Sequence, residues 1–206
     1  MQKKPYSVCS RVYRRIKGKG SGSVVVTNDF LDLASRDTIK KYLLRLKEEG
    51  KLKRLIPGVY YYAKFNDLLG IELSPAIDKI AFAIARKNKL NILFSESIAA
   101  NLLGLTTQVP ANHVFLTNGK TKNIKVGKRT IRLKHASPKV MALGKYKGGI
   151  VVQAFKYFGE DRITSDIINK LKTNLPQKVK AELLRCIPFA SDWMRTYLEE
   201  IADKGD

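Results

Sequence analysis

The chain is poor in the residues that carry most protein chemistry. Among 206 residues there are two cysteines, two histidines and one tryptophan. Two isolated thiols, Cys9 and Cys186, give neither a disulfide framework nor the paired spacing of a zinc site, and both suit small apolar packing in a reducing cytoplasm. No apolar run approaches the roughly 18 residues needed to span a bilayer, and Ala76 to Ala85 is interrupted by Asp78 and Lys79. The first residues, MQKKPYSVCSRVYRR, lack the apolar core of a signal peptide. Acidic residues are scarce too, with 18 Asp and Glu against 39 Lys and Arg.

The resulting formal net charge is +21, and the sequence pI is about 10.0. Such an excess selects polyanionic partners: DNA, RNA or an anionic membrane surface. The charge is concentrated at the front. Residues 1–65 hold 16 Lys and Arg against 5 Asp and Glu, whereas residues 66–206 hold 23 against 13 over about twice the length. With 44% hydrophobic residues, the chain has enough apolar material for a core, and its length suits one large domain or two small ones.

Cys9, Val12, Tyr13 and Ile16 follow the i, i+3, i+4, i+7 spacing of an amphipathic helix, which the glycines of Gly18 to Ser23 end. Val24 to Val26 reads as a short strand. Thr27 or Asn28 caps a short second helix with Phe30, Leu31, Leu33 and Ala34 on its core side. Ser35 then caps a third, over Arg36 to Glu49, whose Ile39, Tyr42, Leu43 and Leu46 repeat the apolar spacing. Its other face carries Arg36, Lys40, Lys41 and Lys47. Leu44 is the misfit there: it suits either a thymine methyl or the flank of a second domain. Gly50 stops the helix, and Lys51 to Ile56, Pro57-Gly58 and Val59 to Tyr62 read as strand, turn, strand.

A basic helix followed by a hairpin predicts a winged helix-turn-helix. The candidate DNA-binding residues are Ser35 at the helix cap, Arg36, Thr38, Lys40 and Lys41 at the major groove, Lys47 on the same helix, and Lys53 and Arg54 at the wing, with Arg36 suited to guanine O6 and N7. Base stacking on Tyr60, Tyr61 and Tyr62 is the weaker reading, because alternation buries one or two of them.

Phe65 to Ser74 reads as a docked connector. Beyond it, Pro75 to Lys89 reads as a helix, Asn91 to Phe94 as a strand, and Ser95 to Leu103 as a helix. A strand follows at His113 to Thr117, then a hairpin pairing Lys122–Val126 with Thr130–Lys134. Lys125, Lys128, Arg129, Arg132 and Lys134 make a possible second basic surface, with a solvated face as the ordinary explanation. C-terminal helices follow, one of them expected over Asp161 to Leu171. The fold class is therefore α+β: an N-terminal winged helix-turn-helix at 1–65, a connector at 66–74, and a mixed α/β domain at 75–206 with a small β-hairpin sheet and C-terminal helices.

Catalytic chemistry has little footing. His113 and His135 have no Cys, Asp or Glu at metal-ligand spacing, and Gly18 to Gly22 lacks the order of a phosphate loop. The Glu160-Asp161 pair sits at an expected helix start, where the dipole accounts for it. The expectation is a protein that is not an enzyme, with no cofactor and no metal.

Two blocks carry a family resemblance. Ser35-Arg36, Gly50-Lys51-Leu52-Lys53-Arg54 and Gly58-Val59-Tyr60 resemble the N-terminal winged helix of the AbiEi family of antitoxins. Gly104-Leu105, Gln108-Val109-Pro110, Leu116-Thr117-Asn118-Gly119 and Lys134-His135-Ala136, within Ser95 to Met141, are similar to the second domain of a DUF6088-type branch of AbiEi-like proteins. The resemblance implies a DNA-binding antitoxin and transcriptional autorepressor. Its second domain would neutralise a cognate nucleotidyltransferase-like toxin by type IV antagonism, in which direct toxin contact is not required. It also implies double-stranded operator DNA with inverted repeats, so two copies per site from a monomer or weak dimer, and no membrane partner. The alternatives are a winged-helix regulator whose second domain senses a ligand or partner, and an RNA-binding module using the basic hairpin.

Overall fold

A computed structural model of the chain describes residues 7–108 and 112–203. The fold is α+β and divides into two compact units, Met1–Leu90 with Lys125–Arg129, and Asn91–Ile124 with Thr130–Asp206.

The first unit begins with helix α1 (Val8–Gly18), capped by the Ser7 hydroxyl, which accepts from the Ser10 amide. Strand β1 (Ser23–Val26) follows, then a single 3-10 turn (Thr27–Phe30) and helix α2 (Arg36–Glu48). The second α-helix expected after Thr27 is thus only a turn. Two carboxylates are held there: Asp29 Oδ2 accepts from the Val26 amide at 3.1 Å, and Asp32 receives both terminal nitrogens of Arg15 at 2.6 and 2.7 Å. Helix α2 starts at Ser35, whose hydroxyl accepts from the Thr38 amide, and ends at Gly50 in a left-handed conformation (φ 71°). There the Lys51 amide donates to the Leu46 carbonyl and the Gly50 amide to that of Lys47, the paired closure of a Schellman motif.

Strands β2 (Lys53–Ile56) and β3 (Val59–Tyr62) form the wing, and β1 completes an antiparallel sheet in the order β1-β3-β2. Gly58 takes φ 75° at the third position of the turn, where a side chain would be strained. Leu55 falls in a one-residue register shift between Arg54↔Tyr60 and Ile56↔Val59. Ile39, Leu43 and Leu46 of α2 close the core against Val12, Ile16, Val25, Phe30, Leu52 and Tyr60. This is the winged-helix arrangement.

The stretch expected to connect two domains is a hairpin of β4 (Lys64–Asn66) and β5 (Ile71–Leu73). Helix α3 (Ile77–Asn88), assigned to the second domain on sequence, belongs to the first unit. It packs on β1 and β3, and Arg86 near its end forms a bidentate pair with Asp29.

In the second unit, β6 (Ile92–Phe94) pairs antiparallel with β7 (His113–Thr117), which runs parallel to β9 (Arg129–His135). With β8 (Lys122–Val126) the order is β6-β7-β9-β8. Helix α4 (Glu96–Leu102) packs Ala99 and Ala100 against Ala154 of the nearly all-apolar α6 (Gly149–Phe158). Between β9 and α6 lies α5 (Pro138–Ala142). Gly149 is obligatory at the start of α6, since a Cβ there would lie 2.3 Å from the Leu143 carbonyl oxygen. Helices α7 (Ser165–Asn174), α8 (Gln177–Leu183) and α9 (Met194–Ala202) enclose Val151, Val152 and Phe155. The helix expected from Asp161 starts at Ser165 instead, because the Thr164 hydroxyl supplies the cap and residues 160–162 make a 3-10 turn.

Candidate nucleic-acid interface

Helix α2 buries Ile39, Leu43 and Leu46 and therefore presents Arg36, Lys40, Lys41 and Leu44 outward. The wing presents Arg54 and its Pro57-Gly58 tip beside them. Together with Thr27, Asn28, Tyr60 and Lys87, these residues line a groove of about 470 Å³. Its walls carry five cationic side chains, and none of its lining among the described residues is acidic. Leu44 is 41% exposed and lines the apolar part of the groove with Pro57 and Tyr60. A cationic rim over an apolar floor matches a nucleic-acid strand, whose phosphates are anionic and whose sugar and thymine methyl are not.

A hydrogen-bonded chain sets the spacing of this groove. Arg36 Nη2 donates to Asn28 Oδ1 at 2.9 Å, and Asn28 Nδ2 donates to the Arg86 and Lys87 carbonyls at 2.6 and 3.2 Å. Those carbonyls lie in the last turn of α3, where α-helical partners run out; the Arg86 carbonyl also accepts from the Lys89 amide at 3.3 Å. Only this orientation of the Asn28 amide satisfies both neighbours, since a guanidinium cannot accept and a carbonyl cannot donate. Lys87 Nζ donates to the Pro57 carbonyl at 2.7 Å, so the same helix end also holds the wing tip. The end of α3 thereby fixes the start of α2 relative to the wing.

The other expected contacts are placed as follows. Ser35 and Thr38 share a hydroxyl–hydroxyl hydrogen bond of 2.9 Å at the helix cap, and Thr38 does not line the groove. Lys40 pairs with Asp37 at 3.1 Å while both remain well exposed. Lys47 is exposed, seven residues along the same face from Lys40. Lys53 is drawn to Glu72 of β5 at 2.6 Å and stands outside the groove, whereas Arg54 lines it. Tyr61 is buried, with Oη donating to the Leu73 carbonyl, and Tyr60, though it reaches the groove floor, is 6% exposed, so neither ring is open to base stacking. Tyr62 lies edge-on to Tyr13.

The five residues of the possible second basic surface are divided between the two units. Lys125, Lys128, Arg132 and Lys134 are exposed, while Arg129 is half-buried and donates to the Pro75 carbonyl at 3.0 Å. Arg132 lines a polar pocket of about 210 Å³ with Asn112, His113, Val114, Asn123 and Thr130. His135 Nδ1 meets the Gly119 carbonyl at 3.0 Å. Among the described residues no three His, Cys, Asp or Glu side chains gather as a cation site, and no helix is long and apolar enough to cross a membrane.

Asn28 and Lys87 were not singled out as site residues by the sequence. Asn28 reads there only as a helix cap, and Lys87 only as part of the basic end of a helix. The sole signal was the density of cations in Arg86-Lys87-Asn88-Lys89, which the helix dipole explains equally well.

A family model described as a family of unknown function, DUF6088, matches residues 11–184. No curated protein matches the chain. Val109 and Pro110, part of one quoted motif, lie outside the described residues.

Proposed function

The chain belongs to the DUF6088 family, and we propose that it is a DNA-binding antitoxin that represses its own promoter and antagonises a nucleotidyltransferase-like toxin. The observation that carries the DNA half is the cationic groove between α2 and the wing. In this reading α2 enters the major groove with Arg36 aimed at a guanine edge and Leu44 at a thymine methyl, while Lys40, Lys41, Arg54 and Lys87 meet the flanking phosphates. The antitoxin half rests on the resemblance across Ser95 to Met141 to AbiEi-like proteins. That resemblance also supplies the inverted-repeat operator bound by two copies.

Mobility shifts on the DNA upstream of its own gene, run over a salt series, test the first half. Sequence-specific retention supports it. Binding that falls steeply with salt but ignores sequence overturns it. Co-expression with the product of the neighbouring gene tests the second: a neighbour that is harmless alone, or equally toxic with this protein present, overturns the antitoxin role. The pocket around Arg132 and His113 favours a second reading, a regulator whose second unit senses a small anionic ligand and has no toxin. In that case operator binding responds to such an anion, and Arg132→Ala abolishes the response.

A further inference from the structure

The hairpin of β4 and β5 exposes more apolar surface than a solvated turn needs. Leu68 at its tip is 97% exposed, Leu69 64%, Phe65 55% and Ile71 51%. The hairpin is firmly held at its base. Tyr61 Oη donates to the Leu73 carbonyl at 2.7 Å and accepts from the Lys64 amide, and Lys53 pairs with Glu72 at 2.6 Å. The tip is shaped as well, with the Leu69 amide donating to Asn66 Oδ1 at 3.2 Å and Gly70 in the left-handed region. Four large apolar side chains are thus displayed on an anchored projection. Two-stranded hairpins of this size are marginal in water unless something packs on them.

We propose that this hairpin is a self-association surface and that its occupant is the same hairpin of a second copy. Charge supports a second copy. Two molecules of net charge +21 repel, and they approach most easily where cations are few and offset by carboxylates; at this hairpin Lys53 is paired with Glu72, and Lys64 stands at the base. From Phe65 to Asp78 there is no lysine or arginine, while Asp67, Glu72 and Asp78 are present. The arrangement is also self-complementary. Two hairpins laid in opposite directions bring Leu68 and Leu69 of each tip against the strands of the other, and each tip Asp67 toward the other's base Lys64; both of these residues are exposed. Four such side chains per copy bury on the order of 1,000 Å² in total, the low end for a specific interface, which suits a weak dimer. This inference does not depend on the DNA reading, since it is tested without DNA.

Sedimentation velocity of the full chain from about 1 to 300 μM decides it. The expected result is a rise from the 23.2 kDa of one chain toward twice that mass. The double variant Leu68→Asp, Leu69→Asp stays at one-chain mass, with an unchanged circular dichroism spectrum and thermal midpoint. Lys64→Asp weakens the dimer about tenfold, and adding Asp67→Lys restores it. One-chain mass for the wild type over the whole range overturns the proposal, as does dimerisation that survives the double variant. A wild-type chain that stays single but is retained by phosphatidylglycerol vesicles through Leu68 and Leu69 overturns it in favour of a membrane surface.

Discussion

Replacing Asp29 with alanine should destabilise the first unit more than any exposed charge change. The side chain is 7% exposed and makes three bonds: Oδ1 to Arg86 Nε at 2.8 Å, Oδ2 to Arg86 Nη2 at 3.2 Å, and Oδ2 to the Val26 amide at 3.1 Å. Breaking a buried pair by removing one partner costs about 3–5 kcal/mol. Arg86 is 43% exposed and keeps its bond to the Val24 carbonyl, so it rehydrates and the figure falls to about 2–3 kcal/mol. Asp29→Asn keeps an oxygen for the Val26 amide or the guanidinium and costs about 1 kcal/mol. The double variant Asp29→Ala, Arg86→Ala should cost about 1–2 kcal/mol less than the sum of the singles, because the pair is lost only once. Urea unfolding followed by far-ultraviolet circular dichroism measures all four, the single Arg86→Ala included; with a slope of about 2 kcal/mol per molar urea, Asp29→Ala shifts the midpoint by about 1 M. A shift for Asp29→Ala equivalent to less than about 0.5 kcal/mol, or additive singles, would refute the claim that this pair joins α3 to the winged helix.

Asn28→Ala should release Arg36 and lower operator discrimination by about 1 kcal/mol without unfolding the protein, whereas Arg36→Ala removes about 1–3 kcal/mol; competition binding with one altered base pair measures both. Lys87→Ala should reduce the salt slope of DNA binding by about one, while Lys53→Ala leaves it unchanged because Glu72 already neutralises that lysine. Gln153 is buried in α6 with neither amide atom hydrogen-bonded among the described residues, so Gln153→Met should raise stability by about 1–2 kcal/mol; no gain in the urea midpoint would argue that the amide has a partner. Burial, with a smaller contribution from Glu182, pushes the Cys186 thiol up to about 11. That raised value contributes stability below the unfolded thiol's range near 9, lost between about pH 9 and 11, and Cys186→Ala should lack this loss in unfolding titrations.

Local signals were legible. Ile39, Leu43 and Leu46 mark the core face of α2 by spacing alone, and the Ser35 cap and Gly50 stop depend only on neighbours within a turn. Pro57-Gly58 similarly gives away the wing. What was not legible depends on distant partners. Thr27–Phe30 is only a 3-10 turn, and the carboxylates within and just after it, Asp29 and Asp32, are held by Arg86 and Arg15, 57 and 17 residues away. Helix α3 joins the first unit by packing on β1 and β3 as well as through Arg86, and the parallel pairing of β7 with β9 joins residues 18 apart in each register pair. Phe65 to Ile71 defeats pattern reading for another reason: its apolar residues are exposed, whereas periodicity assumes they are buried.

Charge pointed to a polyanion, but it could not say which cations remain to meet one. That depends on what each cation is bonded to. Arg15 faces Asp32, Arg86 faces Asp29, Lys53 faces Glu72 and, within the groove, Lys40 faces Asp37, so each has a carboxylate that offsets part of its charge. Exposed Arg15 and Asp32 show the mutual effect: their hydrogen bond raises the guanidinium's pKa and lowers the carboxyl's. Arg36 and Lys87 are also held, but by an amide oxygen and a backbone carbonyl. Neutral acceptors fix a cation in place and leave its charge uncompensated, which is what an anion-binding residue requires. The groove's electrostatic centre therefore lies nearer to Arg36 and Lys87 than a count of basic residues along α2 and the wing would place it, and the salt slopes of Lys87→Ala and Lys53→Ala distinguish the two accounts directly.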